Sequence, residues 1–345
     1  MYQVAENVKK EQQNQSYLIS VAPMMDWTDR HCRYFLRLVA PRVRLYTEMI
    51  TTAALLHGDR ERLLAYHPAE HPLAAQLGGS EPQELARCAR WAEQAGFDEI
   101  NLNVGCPSDR VQSGRFGACL MHEPARVAEC VSAMRAAVSV PVTVKCRTGV
   151  DERDSYPELV DFVGGLVEAG LSRLIVHARK AWLKGLSPKQ NRDIPPLQYP
   201  HVYRLKQEFP ALPVCINGGI DSAEAVALHL QRVDGVMLGR AAYHDPWLLV
   251  SVATRLDPTR VTPHTRHDVV RAMLPYIEEQ LRRGVRLQQI VRHMLGLFQG
   301  RPGARAWRRY LSEYAHRDAA GVEVLERALR CVPDAETAGK LASGR

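Results

Sequence analysis

The 345-residue chain lacks the long apolar segments that attachment to a membrane requires. No run of about 18 apolar residues occurs, so we expect no membrane span. Residues 1–16 are polar and contain no apolar stretch, so we expect a disordered N-terminal tail rather than a secretory signal. These absences predict a cytoplasmic protein that does not bind a membrane.

Patterns typical of metal sites and disulfides are also missing. The eight cysteines form no Cys-x-x-Cys pair, and no spacing of cysteine and histidine resembles a zinc site. We therefore expect no bound metal and reduced thiols, seven of them buried in apolar segments. The exception is Cys106, which lies in a Gly-Cys-Pro turn just after a predicted strand. Loops at strand ends often carry chemistry, so Cys106 is the first candidate for a catalytic residue.

Excess positive charge is absent from the first three quarters of the chain. The net charge is +7, and residues 255–345, with 17 basic and 10 acidic side chains, account for all of it. Sixteen of those 17 cations are arginine, which forms bidentate contacts with phosphate and favours a nucleic-acid partner. An arginine-rich composition also arises from the base composition of a genome, so both explanations stay open.

No early G-x-G-x-x-G motif is present, which disfavours the alternative of a doubly wound open sheet. Eight β-then-α units in roughly 240 residues predict an α/β protein with a (β/α)₈ TIM barrel. Ser80 is expected to be the N-cap of the predicted helix 82–95, and Ser222 that of the predicted helix 222–230. The predicted strands span residues 18–22, 44–47, 73–77, 99–103, 140–145, 173–177, 213–217 and 235–238, and the predicted helices 82–95, 124–137, 157–169 and 222–230.

After residue 253 the strand pattern stops, and residues 285–299 carry apolar side chains at helical spacing. This predicts a C-terminal helical bundle joined through a linker at 257–266, with a further helix starting at Pro302. The predicted domains are a tail at 1–16, a barrel at 17–255, a helical domain at 256–332 and a frayed tail at 333–345.

Residues that follow the strands of a barrel converge on one site. All eight predicted strand ends carry polar, glycine or cationic groups, which favours a polar ligand. The residues concerned are Pro23, Met24, Met25, Glu48, Gln76, Asn101, Asn103, Lys145, Arg147, His177, Arg179, Asn217, Gly218, Gly219, Gly239 and Arg240. Glu48 has the alternative of pairing with a neighbouring cation.

The last two strand ends, at 217–219 and 239–240, combine glycine with a following helix. Such loops let backbone N–H groups approach a phosphate, although the glycines also have the simpler explanation of tight turns. A phosphate-bearing cofactor held there would leave Gln76, Lys145 and His177 facing its ring system. A lysine at this place would stabilise an anionic reduced flavin. The alternative for His177 is that it is a hydrogen-bonded histidine of the core.

These motifs together resemble the tRNA-dihydrouridine synthases, and most closely the A-type bacterial members of that family. Residues 179–188 and 293–300 carry the A-type likeness, and Cys146 is a departure from the expected pattern that touches no catalytic role. The likeness extends from about residue 18 to 330. The family motifs lie at residues 22–29, 45–49, 76–79, 101–107, 144–149, 176–179, 217–219 and 239–240.

The resemblance implies a flavoenzyme that reduces the C5=C6 bond of uridines in the tRNA D-loop, near positions 20 and 20a. NADPH would reduce FMN, hydride would pass from flavin N5 to uracil C6, and Cys106 would protonate C5. A proton donor of this kind must hold its proton, unlike a cysteine nucleophile. The residues implied to hold FMN are Pro23, Met24, Met25, Gln76, Lys145, His177, Asn217, Gly218, Gly219, Gly239 and Arg240.

A uridine in folded tRNA must be flipped out to reach the flavin. Asn103 is a candidate to bind the uracil edge, with the alternative that it caps its own loop. On the helix after Pro302, Arg305 and Arg308 share one face, which is either an RNA-binding surface or a solvated face. The expected tRNA contacts are Arg179, Lys184, Ser187, Arg301, Arg305 and Arg308.

Two other functions compete with this one. An FMN barrel acting on a free pyrimidine, similar to a dihydroorotate dehydrogenase, would leave the basic C-terminal region without a role. A non-catalytic RNA-binding protein on a degenerate barrel would not need Cys106 or Lys145. We expect a monomer.

Overall fold

The computed structural model describes residues 18–257 and 265–334. The tail expected at 1–16 therefore lies outside the described residues, as do most of the linker and of the C-terminal tail. Within the described part of the chain, no helix is long and apolar enough to cross a membrane.

Eight parallel strands form one sheet in the order β1-β8-β7-β6-β5-β4-β3-β2. Its two edge strands also meet, because Val21 N–H donates to the carbonyl of Arg44, whose own N–H donates to Ile19. The predicted (β/α)₈ TIM barrel is confirmed. The strands are β1 (Ile19–Val21), β2 (Leu45–Thr51), β3 (Leu73–Gly78), β4 (Glu99–Val104), β5 (Val142–Arg147), β6 (Arg173–His177), β7 (Val214–Asn217) and β8 (Gly235–Leu238).

Helices alternate with these strands and continue after them, so the predicted C-terminal helices are present. The helices are α1 (Arg30–Val39), α2 (Thr52–His57), α3 (Arg60–Leu63), α4 (Pro82–Gln94), α5 (Asp109–Ser113), α6 (Pro124–Ala137), α7 (Tyr156–Glu168), α8 (Tyr199–Glu208), α9 (Ala223–Leu230), α10 (Arg240–His244), α11 (Leu248–Leu256), α12 (Arg266–Arg282), α13 (Leu287–Val291), α14 (Ala304–Tyr314) and α15 (Val322–Leu329). Short 3₁₀ turns occur at Pro68–Glu70, Gly117–His122, Gln190–Arg192 and Arg292–Met294.

The described chain packs as two compact units. The first contains the barrel strands and the helices from α2 to α9, apart from residues 221–224. The second contains residues 29–41, 221–224 and the chain from residue 240 onward. Compact packing thus groups α1, α10 and α11 with the C-terminal helices, whereas the domain boundaries expected from the sequence stay a prediction.

The residues at helical spacing over 285–299 do not form one continuous helix, because α13 is short and a 3₁₀ turn follows it. The carbonyl of Met294 accepts from the indole Nε1 of Trp307 at 3.2 Å, and that of Leu297 accepts from Nε of Arg266 at 3.0 Å. The Met294 carbonyl also accepts from Leu297 N–H in a tight turn, and the two side-chain donors stand in place of the N–H groups that would continue an α-helix.

Three local expectations also fail. Pro302 does not open a helix, since Gly303 is the N-cap of α14, with a φ of +83° and a neighbouring carbonyl at Cys331 that leaves no room for a Cβ. The N-cap of α4 is Glu81, so Ser80, one residue earlier, is not the N-cap. The linker ends before Arg266, because Thr265 caps α12.

The cysteines are all free, yet only five are buried, at positions 32, 88, 130, 146 and 215. Cys119 and Cys331 are half-buried like Cys106, so the expectation of seven buried thiols is wrong. Cys331 lies two residues beyond the end of α15 and so outside its apolar face.

Candidate active site

Cys106 lies two residues beyond strand β4, in a turn that its neighbours hold in place. The carboxamide oxygen of Asn103 accepts hydrogen bonds from the backbone N–H groups of Gly105 and Cys106, at 3.1 and 3.0 Å. The Cys106 thiol donates to Oγ of Ser108 over 3.6 Å. The half-buried thiol is therefore restrained at its backbone, and the Asn103 oxygen caps the turn.

Lys145 stands beside this turn on strand β5, where its Cα pairs with that of Asn103. Its ammonium makes no hydrogen bond or salt bridge with any residue that the structure describes. Burial, and after it the nearby charge of Arg147, lower the pKa of Lys145 to about 8. A desolvated cation of this kind fits a site for an anionic or electron-rich group.

His177 ends strand β6 and pairs in register with Asn217 on β7. Burial lowers the pKa of the His177 imidazole well below its usual value, with contributions from Arg147 and Lys145, so the ring is neutral at pH 7. A Cβ at Gly218 would lie 2.4 Å from the ring. Gly218, with a φ of +110°, is therefore required both by its backbone conformation and by the closeness of the imidazole.

Two hydrogen bonds hold the loop after β7 in place. Asn217 donates from Nδ2 to the carbonyl of Met237 at 2.7 Å, and the hydroxyl of Tyr199 donates to the carbonyl of Gly218 at 2.7 Å. After β8, a Cβ at Gly239 would meet only Ala22, at 3.9 Å. This open space leaves the backbone of the second loop accessible to a ligand.

The segment after β1 contributes apolar side chains. Met24 packs on a barrel-core cluster that includes Ala22 and Met237, while Met25 is 52% exposed. The hydroxyl of Thr28 accepts from Met24 N–H at 2.9 Å and fixes the turn. Glu48 accepts from the N–H of Asp26, so its oxygen is used within this same segment.

Two further side chains, Arg147 and Gln112, hold the Cys106 turn to the long loop after β6. Arg147 donates from Nε to the carbonyl of Gly105 at 2.9 Å, and through one terminal nitrogen to the carbonyls of Lys180 and Asn191, each at 2.9 Å. Gln112 donates to the carbonyls of Pro107, at 2.9 Å, and Leu183, at 2.8 Å. From the sequence, Arg147 was expected at a strand end, but no role was assigned to it. Gln112 was not singled out, because its partner Leu183 is distant in the chain.

The loop after β6, residues 178–198, is itself ordered by buried Asn191. Its side chain accepts from Trp182 N–H at 2.7 Å and donates to the carbonyls of Trp182 and Leu186. Arg179 donates to the carbonyl of Pro195, so this expected tRNA contact has a partner within its own loop. Lys184 and Ser187 are exposed.

The expected arginine surface lies in the second unit, on and before α14. Arg301 and Arg305 are exposed, and Arg308 is half-buried and donates to the side chain of Gln299 at 2.9 Å. Trp307 is fully buried on the other side of the helix. Arg240 also belongs to this unit, as the first residue of α10.

The profile of one protein family, described as dihydrouridine synthase (Dus), matches residues 20–333 of the chain. The chain belongs to the dihydrouridine synthase family. The resemblance expected from the motifs is thereby confirmed, and with it the prediction of an oxidoreductase of this family. Enzymes of the dihydrouridine synthase family depend on a flavin.

Curated relatives of this family align along almost the whole chain. A tRNA-dihydrouridine(20/20a) synthase of Xanthomonas axonopodis pv. citri is 60% identical over 314 residues, covering 91% of this chain and 93% of the relative. Proteins of the same name from Shewanella oneidensis and Salmonella typhimurium are 59% and 58% identical, covering 91% and 92% of this chain and 93% and 96% of the relatives.

Among solved structures, a 2-naphthoyl-CoA reductase in complex with 2-naphthoyl-CoA superposes with a TM-score of 0.52. It is 11% identical and covers 70% of this chain and 50% of that chain. At this identity the likeness shows the barrel fold alone.

Proposed function

We propose that this dihydrouridine synthase reduces uridines 20 and 20a of the tRNA D-loop to 5,6-dihydrouridine, with FMN as cofactor and NADPH as reductant. Cys106 is the acid that protonates C5 of the uracil. The substrate and positions follow from the relatives, which carry the name tRNA-dihydrouridine(20/20a) synthase at about 60% identity. The expected cytoplasmic location and monomeric state remain part of this proposal.

The residues present suit FMN. The Lys145 ammonium has no partner among the described residues, and a flavin in its anionic reduced form would supply one. Gly239 leaves room for a phosphate to approach the backbone, since a Cβ there would meet only Ala22, at 3.9 Å. Gly218 is proposed to take part through its backbone. The other residues proposed to hold FMN are Pro23, Met24, Met25, Gln76, His177, Asn217, Gly219 and Arg240.

When bound, reduced FMN supplies the hydride that adds to C6 of the uracil. The chain must then deliver one proton to C5, and the Cys106 thiol is the half-buried S–H group in the turn beside Lys145. The nearby Arg147 guanidinium donates to three backbone carbonyls and so restrains the turn. A half-buried thiol on a restrained turn, two residues beyond β4, is the observation that carries the proposal.

Asn103 has one amide proton of Nδ2 left after its bond to Gln76, and this proton can meet a uracil carbonyl. Its oxygen, by contrast, is already occupied by the turn. Arg179, Lys184, Ser187, Arg301, Arg305 and Arg308 are the proposed tRNA contacts.

The experiment is to map dihydrouridine in tRNA from cells that lack this protein. Loss at positions 20 and 20a, restored by the intact gene, is the expected result. Retention of dihydrouridine at both positions would contradict the proposal, and turnover of free uridine without tRNA would favour a free-pyrimidine reductase instead.

A further inference from the structure

A continuous chain of hydrogen bonds crosses the interior of the barrel from the Cys106 turn. The backbone N–H groups of Gly105 and Cys106 donate to Oδ1 of Asn103. Nδ2 of Asn103 donates to Oε1 of Gln76 at 2.9 Å, and Nε2 of Gln76 donates to Oδ1 of Asn101 at 2.8 Å. All three amide side chains are buried, so no solvent competes for these bonds.

The far end of this chain is the buried carboxylate of Glu99. Nδ2 of Asn101 donates to Oγ1 of Thr143 at 2.9 Å, and the Thr143 hydroxyl donates to Oε1 of Glu99 at 2.6 Å. The Tyr46 hydroxyl donates to the same oxygen at 2.7 Å, and Arg44 forms an ion pair with the other oxygen at 3.6 Å. Burial raises the pKa of Tyr46 well above its usual value, so its hydroxyl stays a donor.

The two ends determine the direction of every bond between them. A backbone N–H can only donate, and a carboxylate can only accept. Each amide between these ends must therefore turn its oxygen toward the Cys106 turn and its NH₂ group toward Glu99. Reversing one amide would bring two donors or two acceptors face to face in a buried site, which is costly.

We propose that Glu99 is a positioning residue for the Cys106 turn, acting through Thr143 and the three amides to keep the Asn103 oxygen directed at the turn. The inference rests on the proposed function, in which Cys106 supplies the proton to C5. Glu99 itself is fully buried at the start of β4 and acts only through this chain of bonds.

Thr143→Val tests the proposal because valine has nearly the shape of threonine and the position is fully buried. The variant leaves Asn101 without its acceptor and removes one of the two hydroxyl donors to Glu99, so Glu99 no longer acts on the direction of the amides. We expect hydrogen exchange at the backbone amides of Gly105 and Cys106 to be about ten-fold faster, and kcat for uridine reduction to fall about as much. The KM for tRNA should change less than kcat, because the arginine and lysine side chains proposed to bind tRNA lie outside this chain of bonds.

Thr143→Ser keeps the hydroxyl and is the matched control, with exchange and kcat near those of the unsubstituted enzyme. Unchanged exchange at Gly105 and Cys106 in a folded Thr143→Val variant would overturn the proposal, whatever its activity. If the valine variant does not fold, Thr143→Ala makes the same break with a smaller side chain and is judged by the same two outcomes. Failure of the proposed function is separate, because it would appear as uridine reduction by Cys106→Ala and would not alter the exchange rates.

Discussion

The guanidinium of Arg147 donates to the carbonyl oxygen of Gly105 at 2.9 Å, one residue before the thiol of Cys106. The same side chain reaches the loop after β6 through the carbonyls of Lys180 and Asn191. The turn and that loop are therefore held by one buried cation. Burial lowers the pKa of Arg147 to about 10, which still leaves it charged at neutral pH.

Gln112 forms the second connection, and its removal should loosen the turn without removing a charge. Gln112→Ala leaves the carbonyls of Pro107 and Leu183 without this donor, so we expect a loss of about 1–2 kcal/mol in the free energy of unfolding and a lower kcat. Denaturant unfolding and single-turnover flavin reoxidation by tRNA measure both. Gln231→Ala, at an exposed position, is the control, and equal behaviour of the two variants would refute the role of Gln112.

Lys145 should make FMN affinity depend on pH. Because burial lowers its pKa to about 8 in the protein without ligand, the ammonium is charged below that pH and loses its charge above it. We expect the Kd for FMN to increase as pH rises through about 8, measured by flavin fluorescence quenching. In Lys145→Met this increase should be absent, and a variant that kept it would contradict the assignment.

The lowered pKa of Lys145 also predicts how the stability of the flavin-free protein changes with pH. The lysine binds a proton more readily in the unfolded chain, with a pKa of 10.5, than in the folded one, at about 8. The free energy of unfolding contributed by this group should therefore rise with pH between these values. Urea unfolding at pH 8 and pH 10 should show this rise in the free energy of unfolding for the unsubstituted protein and not for Lys145→Met. An equal rise in both proteins would contradict the assignment.

Gly218→Ala should cost both stability and cofactor. A Cβ there would lie 2.4 Å from the His177 ring, and the φ of +110° adds strain of about 1–2 kcal/mol. We expect a lower melting temperature and purified protein with little FMN. Gly164→Ala in α7 is the matched control, since nothing lies within 4 Å of its Cβ position, and it should stabilise the helix by about 0.5–1 kcal/mol.

The arginine surface of α14 should govern tRNA affinity rather than flavin binding. Arg305→Ala combined with Arg308→Ala should weaken tRNA binding and lower the slope of log K against log salt by about 1–2. Filter binding at several salt concentrations measures this, with FMN content expected to stay constant. The exposed pair Arg90→Ala and Arg232→Ala provides a charge-matched control, and equal losses in both double variants would argue against a specific surface.

The barrel could be predicted from the sequence because its strands appear as local patterns of apolar residues. The strands at 173–177 and 235–238 were predicted to the residue, since apolar runs bounded by turn residues need no tertiary information. The end of the helix after α13 could not be predicted from local sequence. It depends on hydrogen bonds from the side chains of Trp307 and Arg266 to the carbonyls of Met294 and Leu297. Tertiary hydrogen bonds of this kind leave no periodic signal.

The same limit applies to the site. Cys106, Lys145 and His177 were found because reactive residue types followed predicted strands. The role of Gln112 depends on a carbonyl 71 residues away, which no local pattern shows. The inward-facing set Glu99, Asn101 and Asn103 did leave a signal, an alternation of polar residues along β4, but its hydrogen-bond direction required the neighbouring strands.

The most direct test of the account is single-turnover reduction of D-loop uridines by Cys106→Ala, compared with Cys119→Ala at another half-buried thiol. We expect Cys106→Ala to keep bound FMN and NADPH oxidation but to lose at least about 100-fold in dihydrouridine formation, the lower range for a general acid. Cys119→Ala should behave like the unsubstituted enzyme. Dihydrouridine formation at the full rate by Cys106→Ala would contradict the assignment of this thiol as the proton donor.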